Sequence, residues 1–246
     1  MLKKILPNNY EREMSGKYFQ NSLFYNNANK FILQFYGGEQ KVLDIGCGTG
    51  LLAKAIRNIN PDAMITGIDL SLQVKPEAEK NLDCFILVNL ENDSDFPEFD
   101  QKFDLIILGD VLEHLKRPDT LLSKLEQYLE PDGKIIISIP NIAHWSIRLD
   151  LLMGRFTYQQ TGILDNSHLR FFTYQSMHEL LIQSGYKIIK FNSNIYSIPK
   201  SSVQNVFFLL LLQLIQIYTN YLKHLNQNRY EWEAIQFIFK IIKEKR

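Results

Sequence analysis

The sequence predicts an α/β fold of the doubly wound type, in which helices cover both faces of a parallel sheet. From Lys41 onward, short apolar runs typical of strands alternate with stretches of helical periodicity. Such alternation indicates a parallel sheet, and right-handed crossovers place the connecting helices on both of its faces. A chain of 246 residues, 46% hydrophobic and 22% charged, has enough apolar side chains to bury a full core.

Seven apolar runs have the length and composition of strands. They are residues 42–45, 64–68, 85–88, 103–108, 134–139, 186–191 and 234–242. The helices between them are predicted to begin near residue 51, to span residues 121–129 before a Pro-Asp-Gly stop, and to follow Thr173 up to a C-cap glycine at 185.

A single domain, residues 1–246, is predicted because no internal repeat or low-complexity linker divides the chain. Its parts are an N-terminal helical cap (1–38), a core (41–192), a helical insertion (201–229) and a last strand (234–242).

The charge and cysteine content narrow the classes of function. Lys plus Arg number 27, as do Asp plus Glu, so no net charge attracts nucleic acid, which we do not expect as a partner. The two cysteines, Cys47 and Cys84, do not make a disulfide framework and favour a reducing compartment. The N-terminus has no apolar stretch long enough for a signal peptide. We therefore expect a cytoplasmic protein.

A glycine-rich loop joins the first predicted strand to the helix after it. Its glycines, Gly46, Gly48 and Gly50, let the backbone approach a ligand closely and adopt positive φ, the left-handed conformation. A dinucleotide site needs glycine at the first, third and sixth positions, and Leu51 occupies the last of these, so the spacing disfavours a nicotinamide-dependent reductase. Asp44 would repel a pyrophosphate but suits a ligand with an ammonium and a sulfonium group, such as S-adenosylmethionine.

A second acidic residue, Asp69, ends the second predicted strand, 19 residues beyond Gly50. A carboxylate at this place can accept hydrogen bonds from both hydroxyls of an adenosine ribose. Leu70 follows it, and we expect its side chain to lie against the adenine face.

These residues together resemble the first two motifs of class I S-adenosylmethionine-dependent methyltransferases, over residues 41–190 with 234–242 as the final strand. The resemblance implies a Rossmann-like, seven-stranded, mostly parallel sheet whose last strand is antiparallel, with S-adenosylmethionine as cofactor. It implies that Asn89, where Asp is more usual, and Leu90 contact adenine, and that Gly109 borders the methionine part. An alternative role for Asn89 is to cap the third strand.

Residues 110–114, Asp-Val-Leu-Glu-His, follow the fourth predicted strand. In one helical turn Asp110 would share a face with Glu113 and His114, and three such ligands can hold Mg²⁺ or Zn²⁺. The pattern resembles metal-assisted quinone-type O-methyltransferases, whose first acid is Glu rather than Asp. The alternative is a hydrogen-bonded turn against the sheet, which we favour, so we predict no metal site.

The methyl acceptor is expected to bind between the fifth and sixth strands, where residues 139–145 and 161–173 are polar and aromatic. A sugar hydroxyl is a poor nucleophile and needs a base. His144 and His168 are the candidate catalytic residues, because imidazole titrates near neutral pH. A structural hydrogen-bond hub is an equal alternative for His168.

Residues 165–173 resemble bacterial methyltransferases that accompany glycosyltransferases in cell-surface polysaccharide pathways. Asp165, His168 and Arg170 match the usual pattern of that group, whereas Asn166 and Ser167 depart from it. The resemblance implies a saccharide acceptor, and a small-molecule acceptor remains open.

A strongly apolar segment, residues 203–222, precedes the last predicted strand. Its uninterrupted apolar run, 206–212, has seven residues, against the ~20 that a membrane span needs, so we predict no transmembrane segment. Three interpretations stay open: a core or lid helix, a homodimer contact, and a peripheral contact with a membrane surface.

Two functions from different classes therefore remain. The first is a methyltransferase that acts on a small-molecule or glycan acceptor, with oxygen as the expected methylated atom. The alternative is a non-catalytic binding or scaffold module that retains the fold. The intact Asp44, Asp69 and glycine loop favour the enzyme, because a module without cofactor has no need of them.

Overall fold

The computed structural model describes residues 29–92, 96–195, 217 and 230–244. These residues contain one seven-stranded sheet. Its strands are Lys41–Ile45 (β1), Met64–Asp69 (β2), Cys84–Leu87 (β3), Phe103–Gly109 (β4), Leu129–Pro140 (β5), Tyr186–Ile195 (β6) and Ala234–Lys243 (β7).

The strand order is β3-β2-β1-β4-β5-β7-β6. β7 runs antiparallel to both of its neighbours, and the pairs among β1 to β5 are parallel. The predicted mostly parallel sheet with an antiparallel last strand is therefore confirmed. The order reverses between β1 and β4, and ligands of such sheets bind beyond the carboxyl ends of the strands at that point.

Helices surround the sheet. They are Lys30–Leu33 (α1), Leu51–Ile59 (α2), Lys75–Ala78 (α3), Pro118–Leu125 (α4), Trp145–Leu152 (α5), Tyr174–Gln183 (α6) and Tyr230–Glu233 (α7), with 3₁₀ turns at Leu112–His114 and Glu126–Tyr128. The helices predicted after residue 50 and after Thr173 are confirmed, and Gly185 ends the second of them at φ +77°.

Alternate side chains of each central strand enter one of two apolar cores, as the pleat of a strand requires. Leu43 of β1 packs in the core that includes residues of α4 and α6. Val42 packs in the core that includes residues of α1, α2 and α3. The prediction of helices on both faces is thus confirmed.

The predicted extension of the fourth helix to residue 129 is wrong. α4 ends at Leu125, and Leu129 already pairs with Phe103 as the first residue of β5. The Pro-Asp-Gly stop at 131–133 lies inside β5, where the register with β4 shifts. The error arose because Leu129 continues the helical spacing while its side chain is buried in the same core as Leu125.

Parts of two predictions fall outside the described residues. Of the N-terminal cap, the structure describes α1, which Asn29 caps by accepting hydrogen bonds from the backbone of Phe31 and Ile32 at 3.0 and 3.3 Å. The helical insertion at 201–229, with its apolar segment 203–222, lies outside the described residues apart from position 217. Within the part of the chain that is described, no helix is long and apolar enough to cross a membrane.

A buried hydroxyl connects β6 to the end of α4. The Tyr186 hydroxyl donates to the Leu122 carbonyl at 2.7 Å, and Leu122 lies in the last turn of α4, where carbonyls lack helical partners. We expect Tyr186→Phe to lower the free energy of unfolding by about 1–2 kcal/mol, because it leaves a buried carbonyl unsatisfied. Chemical denaturation measures the change. Tyr158→Phe, at a residue that is 55% exposed, is the control and should change stability by less than about 0.5 kcal/mol.

Candidate active site

The glycine loop follows β1, and its glycines adopt a left-handed backbone conformation. Gly46, Gly48 and Gly50 have φ values of +74°, +51° and +75°, which other residues rarely adopt. The backbone N–H groups of Gly46 and Cys47 both donate to the Ile68 carbonyl, at 2.8 and 3.1 Å. The loop is therefore held against the end of β2, at the strand-order reversal.

Asp44 lies in β1 just before this loop, and only 3% of it is exposed. Its Oδ2 atom has no hydrogen-bond partner among the described residues. Burial, together with the charge of nearby Asp69, raises the pKa of the Asp44 carboxyl from 3.8 to about 7. A cationic ligand would supply the interaction that this carboxylate lacks.

Asp69 is the last residue of β2. Its Oδ2 accepts the Gly48 N–H at 2.9 Å and its Oδ1 accepts the Ser71 N–H at 2.8 Å. Burial raises the pKa of Asp69, against the opposing effect of these hydrogen bonds. Each carboxylate oxygen can accept more than one hydrogen bond, so this side chain can shape the loop and still accept ribose hydroxyls.

The residues predicted to contact adenine lie at the carboxyl ends of β2 and β3. Leu70 is 59% exposed. The Asn89 Oδ1 atom accepts the Glu91 N–H at 3.0 Å, so the alternative turn role is present, and Leu90 packs partly into the core. Gly109 ends β4, and a side-chain carbon there would lie 3.2 Å from Ile32 of α1.

Asp110 adopts φ +55°, the positive φ that marks non-glycine residues under constraint. Its carboxylate accepts the Ser138 hydroxyl at 3.0 Å and the Gln236 amide at 2.7 and 2.8 Å. Burial raises the pKa of Asp110. Sequence reasoning missed Gln236, because nothing in an apolar strand sequence signals that its one amide faces a residue 126 positions away.

The Asp110, Glu113 and His114 set proposed from the sequence is assembled differently. Glu113, His114 and His168 bring their ligand atoms within 4.8 Å of one another. The imidazole rings of His114 and His168 are 4.9 Å apart. The carboxylate of Asp110 is instead held by Ser138 and Gln236.

Burial sets the charge of this cluster. It raises the pKa of Glu113 well above its ordinary value, with a further contribution from the charge of Asp110. It lowers the pKa of His114 to about 4, and it lowers the pKa of His168. Both imidazoles are therefore neutral at pH 7.

The other candidate base, His144, caps the N-terminus of α5. Its Nδ1 accepts the Ser146 N–H at 3.4 Å and lies 2.8 Å from the Ser146 hydroxyl. Burial lowers the pKa of His144 to about 4. Since Nδ1 accepts, Nε2 carries the proton of the neutral ring, and this buried atom has no partner among the described residues. His144 is thus placed to donate a hydrogen bond and not to remove a proton.

Asp165 and Arg170 bind the backbone near His168. Asp165 accepts the N–H and hydroxyl of Ser167 at 2.8 and 2.5 Å, and the Arg170 guanidinium donates to the Lys116 carbonyl at 2.7 and 3.2 Å. These contacts fix the loop around His168.

Curated relatives match part of this chain. One is a ubiquinone biosynthesis O-methyltransferase from Glaesserella parasuis, 34% identical over 113 residues, which covers 42% of this chain and 46% of that protein. Another is a malonyl-[acyl-carrier protein] O-methyltransferase from Halalkalibacterium halodurans, 32% identical over 102 residues, with 39% and 38% covered. The matched region thus spans less than half the length of these relatives.

The fold has solved counterparts. An S-adenosylmethionine-dependent methyltransferase structure from Thermotoga maritima aligns over 96% of this chain and 98% of its own, with a TM-score of 0.60 and 16% sequence identity. At this identity the likeness establishes the fold alone. The family profile described as "Methyltransferase domain" matches residues 10–190, which include β1 to β5 and the glycine loop. The prediction from the motifs is therefore confirmed, and the chain belongs to the methyltransferase-domain family, with the class I S-adenosylmethionine-dependent fold.

Proposed function

We propose that this chain transfers a methyl group from S-adenosylmethionine to an oxygen atom of a small hydroxylated acceptor. The observation that carries the proposal is the buried Asp44 carboxylate, whose Oδ2 is unpartnered at the base of the left-handed glycine loop. A buried carboxylate without a partner is costly, and a cationic ligand offsets that cost. S-adenosylmethionine supplies the methyl group on such a cation, as a sulfonium that is already electrophilic.

Different residues of the site would bind different parts of the cofactor. Asp44 would face the cationic methionine part, with Gly46, Gly48 and Gly50 allowing the backbone to approach it. Asp69 would accept the ribose hydroxyls, as its position at the end of β2 suits. The adenine would lie near Leu70, Asn89 and Leu90, and Gly109 would border the methionine part.

The acceptor would enter from the loops that follow β5. Both curated relatives described above are named O-methyltransferases, which supports oxygen as the methylated atom. His168 and His144 are the proposed acceptor contacts. His144 would orient the acceptor through its Nε2 hydrogen, while His168 lies in the cluster with Glu113 and His114.

A saccharide from cell-surface polysaccharide synthesis is the finer acceptor that we propose, on the resemblance of residues 165–173. A cytoplasmic setting belongs to the same proposal, supported by Cys47 and Cys84 being free thiols. Contacts of residues 203–222 with a membrane surface or a second copy of the chain remain part of it as well.

The alternative, a non-catalytic module with this fold, is disfavoured by Asp44. Its raised pKa means that the unpaired carboxylate opposes folding at neutral pH. A scaffold module has no use for a buried carboxylate that destabilises it, whereas a cofactor site can use that carboxylate to bind a cation.

We expect Asp44→Asn to have opposite effects on binding and on stability. Because folding raises the pKa of Asp44 from 3.8 to about 7, the native state binds more protons than the unfolded chain between these values. The carboxyl therefore destabilises the fold increasingly as pH rises, and fully above about pH 7. At pH 8 Asp44→Asn should stabilise the cofactor-free protein by about 1–4 kcal/mol and weaken S-adenosylmethionine binding at least about tenfold.

Thermal melts and calorimetry with S-adenosylmethionine measure both effects. Asp62→Asn, at an exposed residue, is the matched control and should change neither. Wild-type protein at ligand a hundredfold above the dissociation constant should gain about 2.7 kcal/mol. A folded wild type that does not bind S-adenosylmethionine would overturn the proposed function.

The affinity for S-adenosylmethionine should depend on pH in a defined direction. Asp44 is protonated below about pH 7 in the free protein, whereas the cation binds its ionised form. Nearby Asp69 also has a raised pKa, and Cys47 stays neutral because burial raises its thiol pKa. We expect calorimetry to show affinity falling up to about tenfold per pH unit below pH 7. The Asp44→Asn variant should lose most of this slope, and an equal slope in both proteins would contradict the role of Asp44.

A further inference from the structure

We propose that Glu113, His114 and His168 form a site for one divalent transition-metal ion, on the acceptor side of the proposed methyl-transfer centre. The binding of the ion stands on these three side chains alone. Its role, to activate the acceptor oxygen, rests on the proposed function.

The carboxylate of Glu113 is the first observation. Only 1% of the residue is exposed, and both of its carboxylate oxygens lack a hydrogen-bond partner among the described residues. A carboxylate buried in this way is strongly unfavourable unless a cation or a proton meets it. The Nε2 atom of His168 lies 4.0 Å from Oε1 of Glu113, beyond hydrogen-bonding range.

The orientation of the two imidazoles is the second observation. His114 Nδ1 lies 3.3 Å from the Ser167 carbonyl, and His168 Nδ1 lies 3.1 Å from the Ile163 carbonyl. A carbonyl only accepts, so each Nδ1 carries the hydrogen and each neutral ring keeps its lone pair on Nε2. Metal-binding histidines are typically oriented in this manner, with the second nitrogen donating to a backbone carbonyl.

The backbone holds the ligands together. The Glu113 carbonyl accepts the N–H groups of Leu169 and Arg170 at 2.8 and 2.9 Å. The loop that carries His168 is therefore tied to the 3₁₀ turn that carries Glu113 and His114. The ligand atoms lie within 4.8 Å of one another, while ligands of a tetrahedral ion are about 3.4 Å apart, so a small inward shift of side chains closes the site.

The ligand set selects the type of ion. Two imidazole nitrogens and one carboxylate oxygen suit Zn²⁺, Mn²⁺ or Fe²⁺ better than the all-oxygen sites of Ca²⁺ and Mg²⁺. Three protein ligands leave a coordination position open. The 3₁₀ turn that carries Glu113 and His114 follows the end of β4, so the proposed site lies near the carboxyl edge of the sheet. An acceptor hydroxyl bound at the open coordination position would lose its proton more readily.

This set differs from the one that the sequence suggested, and it reverses our expectation of no metal. His168 takes the place of Asp110, whose carboxylate is engaged by Gln236 and Ser138. The acceptor class stays the hydroxylated molecule of the proposed function, since a hydroxyl group that coordinates the ion would bind it as an oxyanion.

The test is calorimetric titration of Zn²⁺ and Mn²⁺ into the full chain after chelator treatment, with bound metal counted by elemental analysis. We expect one ion per chain. Glu113→Gln and His168→Ala should each weaken binding more than about 100-fold, the upper end of what loss of an outer partner alone costs. His178→Ala and Cys84→Ser, at exposed residues outside the cluster, are the controls and should bind as wild type does.

Titration of S-adenosylhomocysteine into the same samples separates the two proposals. Protein that binds S-adenosylhomocysteine but neither ion at millimolar concentration overturns the metal site and leaves the proposed function standing. Protein that binds one ion but no S-adenosylhomocysteine overturns the proposed function and leaves the metal site standing. Ion binding that survives both Glu113→Gln and His168→Ala would also overturn the site. Glu113→Gln keeps the shape of the side chain, so its loss of binding reports ligation and not unfolding.

Discussion

The interaction on which the site depends is the anchoring of the glycine loop to the end of β2. The Ile68 carbonyl and the Asp69 carboxylate accept three N–H groups of the loop, from Gly46, Cys47 and Gly48. These bonds satisfy the backbone where the chain turns sharply between strand and helix, and they hold the loop beside the buried Asp44. The same bonds bring two carboxylates close together, so the loop geometry and the need for a cation arise from one arrangement.

The sequence was sufficient for those features that follow from local patterns. Alternating apolar runs predicted every strand of the sheet, and the spacing of Gly46, Gly48 and Gly50 predicted the left-handed loop. The end of α4 was misjudged, because helical spacing and a strand entry both require an apolar residue at position 129. Local pattern does not distinguish the two, whereas the pairing of Leu129 with Phe103 does.

The set of candidate metal ligands could be identified only from the folded structure. Glu113 and His114 are adjacent and were recognised together, but the third partner comes from a loop more than fifty residues later along the chain. From the sequence alone, Asp110 was therefore the candidate third ligand, because it lies close to Glu113 and His114 along the chain and carries a carboxylate. Gln236 explains why Asp110 is occupied elsewhere, and its role depends on the antiparallel β7 placing one polar side chain at the carboxyl end of β4 and β5.

Asp44 and Glu113 follow one physical principle on the two sides of the strand-order reversal. Each is a fully enclosed carboxyl with an unpartnered oxygen, and burial raises the pKa of each. The free protein keeps such groups at the expense of stability, and a ligand that binds only the folded state restores it. One carboxyl suits an organic cation and the other, with two imidazoles beside it, suits a metal ion. Donor and acceptor would then meet between two carboxyl groups that the fold leaves unpartnered, so that binding of the cofactor and of the ion would also stabilise the folded state.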